Sequence, residues 1–416
     1  MDTSKIFRKI MTGRKFVVHT EDLTKPTGHK QSTNQESLGY KNYSIAGETF
    51  MLFVSSWNTG GITPPDNLEL EELLDTQHCR ADIYVLGFQE IVPLKARNVL
   101  GIDNTNICSK WNALIEQALN KRMAAKGAID EPEVGEIQRV YPVKTPNSNN
   151  STAPDFQCLI SKQMVGIYIT VWVRTELHGY IRHPSVSCVG CGIFGYLGNK
   201  GSVSVRFFLH ETSFCFVCSH LASGGKEGDE RQRNIDATSI LSRTLFPAES
   251  LHHLPRKILE HDGVVWLGDL NYRIYLPDAT TRSLVERKEW STLLENDQLK
   301  AELAEGHVFE GWHEEEIEFA PTYKYNQNSD DYYVSNHKLK AKEKRAPAWC
   351  DRIIWFGKGL KQIQYTRGES RLSDHRPVRA IFMVSNEVSE TKKEPGRPMS
   401  NRFVDVSNHF NKSSND

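Results

Sequence analysis

No stretch of this sequence is long and apolar enough to cross a membrane. The longest apolar runs, such as Gly263–Leu270, fall far short of the roughly 20 residues that a span requires. Neither sign of charge is in excess: 51 Lys+Arg face 52 Asp+Glu, a formal net charge of −1. That balance excludes a nucleic-acid coat and a strongly polybasic membrane protein. The opening MDTSKIFRKIMTGRK has no apolar core or small-residue cleavage site, and the closing KSSND carries no prenylation or retrieval signal. A cytoplasmic, soluble protein is therefore expected. Cysteine is sparse, eight in 416 residues, mostly inside apolar strand-like runs, as suits buried thiols in a reducing compartment.

Two kinds of catalytic loop are also missing. No Cys is followed six positions later by Arg, as a phosphocysteine loop requires: Cys191 leads to Leu197 and Cys350 to Phe356. No Gly-Lys pair has Walker-loop spacing. The pairs Cys188-x-x-Cys191 and Cys215-x-x-Cys218 have the outline of a zinc ribbon. However, Ser213–His220 reads as a strand, where positions i and i+3 point to opposite faces. Core packing is the expected role of these thiols.

Residues 1–45 are polar and basic, residues 46–384 read as one structured region, and residues 385–416 are too polar to bury a core. A stretch at about 124–155, rich in Pro, Asn, Ser and Gly, reads as a surface insertion. Strands are predicted near 50–56, 82–88, 156–161, 164–173, 186–192, 202–209, 214–219, 264–267, 352–356 and 378–384. Helices are predicted at 68–77, 109–121, 229–245 and 283–294. Adjacent strand pairs with few helices between them argue for a mixed α/β arrangement of packed sheets with outer helices.

The ends of the apolar runs hold the chemistry. FMLFVSSW runs into Asn58, ADIYVLGF into Gln89 and Glu90, FCFVCS into His220, and GVVWLG into Asp269 and Asn271; Asp374 and His375 come just before a strand. In α/β folds ligands gather at such strand ends. Asp269 and Asn271 are i and i+2, so an extended chain would aim both the same way. Hard carboxylate and amide oxygens favour Mg²⁺ over zinc or copper. Such an ion suits hydrolysis of a phosphoester by water, with a carboxylate orienting the water and histidines stabilising the transferring phosphoryl.

Two segments, WLGDLNYRI (266–274) and PAWCDRIIW (347–355), resemble the two signature motifs of the inositol polyphosphate 5-phosphatases. The resemblance extends in order through SSWN (55–58), FQE (88–90), GYLGNKG (195–201), SHLA (219–222), PTYKY (321–325) and SDHRP (373–377), and is nearest the plant type I branch. It implies the endonuclease/exonuclease/phosphatase fold, a four-layer α/β sandwich with two mixed β-sheets flanked by helices. It further implies that Glu90, with Asn58, holds Mg²⁺, that Asp269 orients the attacking water, and that Asn271 binds a phosphoryl oxygen. His375 would face the scissile phosphate, paired with Asp351, while Asp374 and His220 complete the pocket. Lys200, Lys324 and Arg345 match positions that bind ring phosphates. The segment 338–345, KLKAKEKR, departs from the family pattern at Glu343 and Lys344.

The activity so implied is Mg²⁺-dependent removal of the 5-phosphate from inositol polyphosphates, phosphoinositide lipids or both. Two alternatives are an endonuclease of the same fold acting on abasic DNA and a pseudoenzyme that binds phosphoinositide head groups without turnover. The neutral charge counts against the first and the full set of matching residues against the second. A monomer with no nucleic-acid partner is expected. Ile6, Phe7, Ile10 and Met11 fall at helical spacing among Lys5, Arg8, Lys9, Arg14 and Lys15, a pattern that fits either a disordered arm or helix docked on the domain, the favoured reading, or weak, reversible contact with an anionic membrane surface.

Overall fold

The computed structural model describes residues 49–78, 80–101, 105–121, 154–248, 254–334 and 345–385. The chain divides into a unit at Met1–Ile45, wholly outside the described residues, and a unit at Ala46–Asp416, which holds everything below. The basic N-terminal arm with its amphipathic pattern, nearly all of the insertion at 124–155, residues 338–344, the tail from 386 and Cys79 lie outside the described residues.

Eleven strands are described: β1 (Thr49–Asn58), β2 (Ile83–Gln89), β3 (Phe156–Met164), β4 (Ile167–Arg174), β5 (Ile181–Gly190), β6 (Gly201–Leu209), β7 (Thr212–His220), β8 (Gly263–Asp269), β9 (Asp351–Gly357), β10 (Leu360–Arg367) and β11 (Val378–Ser385). They form a six-stranded sheet, ordered β10-β11-β1-β2-β4-β3, and a five-stranded sheet, ordered β5-β6-β7-β8-β9. Each sheet has one parallel pair, β1 with β2 and β7 with β8. Every other pairing is antiparallel. Two mixed sheets with helices outside are the expected sandwich.

Strand alternation sorts the side chains into layers. Leu52, Val54, Val85, Ile169, Val205, Phe216, Cys218, Val265, Leu267 and Ile353 turn into the core between the sheets. Their neighbours Phe53, Trp57, Tyr84, Leu86 and Phe88 turn outward to Trp111 and Ile115 of the helix Thr105–Asn120. On the other sheet, Cys215, Val217, Trp266 and Ile354 face Ala237 and Ile240 of the helix Asp229–Arg243. Cys215 and Cys218 thus lie in different layers, fully buried, and cannot share a tetrahedral ion.

Continuing the same alternation to the strand ends turns polar residues into the inter-sheet space. Asn58 continues the face of Leu52 and Val54, His220 that of Phe216 and Cys218, Asp269 that of Val265 and Leu267, and Asp351 that of Ile353. Register brings them level, because His220 pairs with Asp269 and Asp269 with Asp351. Gly268 permits this: a Cβ there would meet the Ser219 carbonyl oxygen at 2.1 Å.

Several elements differ from the sequence reading. The helix expected at 68–77 is only Glu71–Leu74, closed by Asp75 in the left-handed region. The one expected at 283–294 is two, Asp278–Glu286 and Trp290–Leu294, separated at Lys288, whose φ is 57°. The helix Gln298–Glu305, capped by Asp297, and strand β10 were not anticipated. Both are short, and β10 is an edge strand, where alternate side chains meet solvent and the apolar signal fades. Among the described residues no helix is long and apolar enough to cross a membrane.

Candidate active site

Asp269, fully buried at the end of β8, is the hub of the site. Its Oδ2 accepts a hydrogen bond from Asn58 Nδ2 at 2.8 Å, a contact that bridges the two sheets. The same oxygen lies 3.2 Å from His220 Nε2 and 4.0 Å from His375 Nε2. Its other oxygen accepts from the Asn271 backbone N–H at 3.1 Å. Burial alone would raise the Asp269 carboxyl, but His220, His375 and Lys200 outweigh it and hold the group well below the ordinary carboxylate range.

His375 sits three residues before β11, with its Nδ1 2.8 Å from Asp351 Oδ2. The Thr322 hydroxyl donates to that oxygen at 2.7 Å, while Asp351 Oδ1 is buried without a partner among the described residues. Ser373 Oγ donates to the Asn58 carbonyl at 2.6 Å and accepts from the His375 N–H at 3.1 Å, fastening the His375 loop to the end of β1. Burial opposes charge on His375, yet Asp351, Asp269 and Asp374 prevail and push its pKa up to about 9. Burial pushes the Asp351 carboxyl upward, and His375 pulls it back.

Glu90 follows β2 in the left-handed region, with φ 51°. A non-glycine residue there carries local strain, which concentrates at functional sites. The turn is held by its carbonyl, which accepts from the Gly61 N–H at 2.7 Å. Its half-buried carboxylate lies 3.9 Å from His220 Nε2. Asn271 is likewise left-handed, with φ 59°. The pleat expected to aim Asp269 and Asn271 together is therefore absent: β8 ends at Asp269, the chain turns, and Asn271 returns through its N–H bond to Asp269. Asn271 Nδ2 donates to the Leu221 carbonyl at 3.1 Å.

The expected ring-phosphate cations separate into two places. Lys200 enters the cluster itself, its Nζ in close contact with His220 Nε2. Burial pushes its pKa down to about 8 against the pull of Asp269 and Glu90. Lys324 lies at the rim, where its Nζ donates to Asp374 Oδ2 at 2.6 Å. Burial opposes its charge, but Asp374 raises its pKa above the ordinary value, and Arg345 is a second cation within its field. Cys350 is fully buried, its Sγ turned to the Tyr272 carbonyl at 3.9 Å, and burial pushes its thiol far up. It is packing, as expected.

Sequence reasoning gave no part to Thr322, Tyr323, Ser373 or Arg273. The Tyr323 ring lies 4.6 Å from that of His375, and the Arg273 guanidinium lies over the same Tyr323 ring at 4.6 Å. All four fall inside the recognised motifs, and a polar residue buried within such a motif was the signal available. Among the described residues, Asp269, Asp351 and His375 offer ligand atoms within 4.8 Å of one another. Of these, the carboxylate oxygens suit a hard divalent cation, whereas a protonated His375 offers it no lone pair. Glu90 supplies a half-buried carboxylate with no hydrogen bond among the described residues, and Asn58 Oδ1 has only the Gly60 N–H, at 3.0 Å.

A family profile described as Endonuclease/Exonuclease/phosphatase family 2 matches residues 55–381. Type IV inositol polyphosphate 5-phosphatase 9 of Arabidopsis thaliana is 54% identical over 404 residues, covering 96% of this chain and 93% of that protein. Type I inositol polyphosphate 5-phosphatase 8 of the same plant is 48% identical over 354 residues, covering 84% and 73%. Among solved structures, the inositol polyphosphate 5-phosphatase domain of SPsynaptojanin, in complex with inositol (1,4)-bisphosphate and calcium ion, has a TM-score of 0.65. It is 30% identical and covers 81% of this chain and 85% of that one. A Cimex nitrophorin ferrous NO complex, at a TM-score of 0.54 and 20% identity over 81% of this chain and 99% of that one, shares the fold alone.

The His375–Asp351 pair sets a pH dependence. A free imidazole titrates near about 6.5, so a value raised to about 9 contributes stability that is complete below about pH 6.5 and lost as the pH rises through about 9. In metal-free protein, NMR of labelled histidine should show the His375 ring protonated through neutrality. Asp351→Asn should move its titration down by at least about one unit. Titration of the wild-type ring near 6.5 would contradict the pairing.

Proposed function

The chain belongs to the inositol polyphosphate 5-phosphatases of the endonuclease/exonuclease/phosphatase family and is a phosphoric monoester hydrolase, and from that premise we propose that it removes the 5-phosphate of inositol polyphosphates and phosphoinositides by direct attack of water, with Mg²⁺. The observation that carries this reading is the convergence of Asn58, His220, Asp269 and His375 at one buried strand end, with Glu90 beside them. Glu90 and Asn58 would hold the Mg²⁺, with Asp269 close by. When bound, the ion supplies Lewis-acid stabilisation of the phosphoryl oxygens and the leaving group.

The remaining work falls to the chain's own side chains. Asp269, held ionised below the ordinary carboxylate range, orients the water through its carboxylate oxygens. His375, protonated at neutral pH and fixed by Asp351, donates from Nε2 to a phosphoryl oxygen as charge develops there. Asn271 donates its amide N–H to another phosphoryl oxygen. Lys200, held against His220, adds positive charge beside the transferring group. Lys324 and Arg345, at the rim, suit a phosphate next to the scissile one; a charge-assisted contact of this kind favours polyanionic head groups. The neutral overall charge disfavours an abasic-DNA endonuclease.

Phosphate release from Ins(1,4,5)P3 should require a divalent cation, while abasic DNA stays intact. Asp269→Ala should lower kcat by orders of magnitude in a folded protein, and Cys350→Ser should keep most activity. A serine variant that is folded, binds metal and is inactive would overturn the direct-water route.

Arg345→Ala should raise KM about tenfold or more for substrates with a phosphate adjacent to the scissile one, a loss of roughly 1.5–3 kcal/mol. Lys324→Ala should do the same and also release Asp374. Substrates lacking that phosphate should be barely affected by Arg345→Ala. Equal losses on both substrates would assign these residues to general electrostatics.

A further inference from the structure

We infer that Arg273 is a positioning residue that locks the Asn271 side-chain amide with its N–H, and not its oxygen, toward the transferring phosphoryl group. The inference rests on the phosphatase reading above and deepens it.

An asparagine amide is ambiguous by construction, because its two ends differ by one atom and are nearly equal in size. Facing an anion, one orientation donates a hydrogen bond and the other opposes an oxygen to an oxygen. Two neighbours remove the ambiguity here. Arg273 Nη2 lies 2.5 Å from Asn271 Oδ1; a guanidinium only donates, so the atom facing it must be oxygen. The Leu221 carbonyl lies 3.1 Å from Asn271 Nδ2 and only accepts, so that atom must be nitrogen. One N–H of the amide remains for a phosphoryl oxygen.

Arg273 is itself held rigidly. Its Nε donates to the Asn271 backbone carbonyl at 3.0 Å, so the guanidinium grips main chain and side chain of the same residue. Its own N–H is tied to Gln298 Oε1 at 2.8 Å. Its plane is backed by the Tyr323 ring at 4.6 Å, and that ring lies 4.6 Å from His375. Arg273 is only 8% exposed and Asn271 3%, so water does not compete for these bonds. Asn271, at a positive φ just past the end of β8, has no strand ladder to hold it. The grip of Arg273 supplies that constraint.

The test is a double-mutant cycle on phosphate release from Ins(1,4,5)P3 with Mg²⁺. Lysine keeps the charge but cannot reach side-chain and main-chain oxygens together. Arg273→Lys should lower kcat about ten- to a hundredfold with KM nearly unchanged. In an Asn271→Ala background the same change should cost less than about twofold, because the amide it orients is gone. If Arg273→Lys does not fold, Arg273→Gln, which can still donate to Oδ1, is compared with Arg273→Met, which cannot. The glutamine should keep at least about tenfold more activity, and the two should converge once Asn271 is alanine. Equal losses in both backgrounds, with the wild type active, would overturn the assignment to Arg273 alone. A wild-type chain that releases no phosphate would overturn the phosphatase reading on which it rests.

Discussion

The hydrogen bond from Asn58 to Asp269 joins the last inward-facing residue of one sheet to the last inward-facing residue of the other. Everything functional depends on that junction. Each sheet has one parallel pair, and parallel strands end together, so the chain delivers Asn58 beside Gln89 and His220 beside Asp269. An apolar core between the sheets fixes the parity of every strand, since a shift of one residue would turn the whole inward set outward. The same constraint that buries Val265 and Leu267 therefore aims Asp269 into the site.

The electrostatics follow from placing many charges in one dry corner. Two carboxylates, Asp269 and Asp351, are buried within reach of two imidazoles and an ammonium. Burial opposes these charges and prevails at Lys200 and Asp351, whereas opposite charges nearby prevail at Asp269 and His375. The outcome is a division of labour by environment: Asp269, surrounded by cations, stays ionised and weakly basic, whereas His375, surrounded by carboxylates, stays protonated. One group can orient water and the other can donate a proton's charge, although both are close to the same few atoms.

Much of this was legible in the sequence, for identifiable reasons. The strands that carry Asn58, His220 and Asp269 are buried on both faces and read as continuous apolar runs, so their polar termini stood out. The Cys215–Cys218 pair was correctly separated by strand parity. What the sequence hid were departures from regular backbone. The left-handed turn at Asn271 could not be seen, because a polar residue after a strand has no pattern of its own, and an extended chain was the wrong continuation. The break at Lys288 is equally silent, since apolar spacing carries across it. Arg273, Thr322 and Ser373 act on other residues instead of standing at strand ends, and only the fold shows what they touch. The resemblance puts Lys200 at a ring-phosphate position, and only the fold shows that it lies against His220 just before β6.

The central claim is that water attacks phosphorus directly, oriented by Asp269, with no covalent phosphoenzyme. The most direct measurement is stereochemical: a 5-phosphorothioate substrate made chiral with oxygen isotopes, hydrolysed in isotopically labelled water. A single in-line displacement predicts inversion at phosphorus. Retention would mean two displacements through an enzyme-bound intermediate, and would contradict the account.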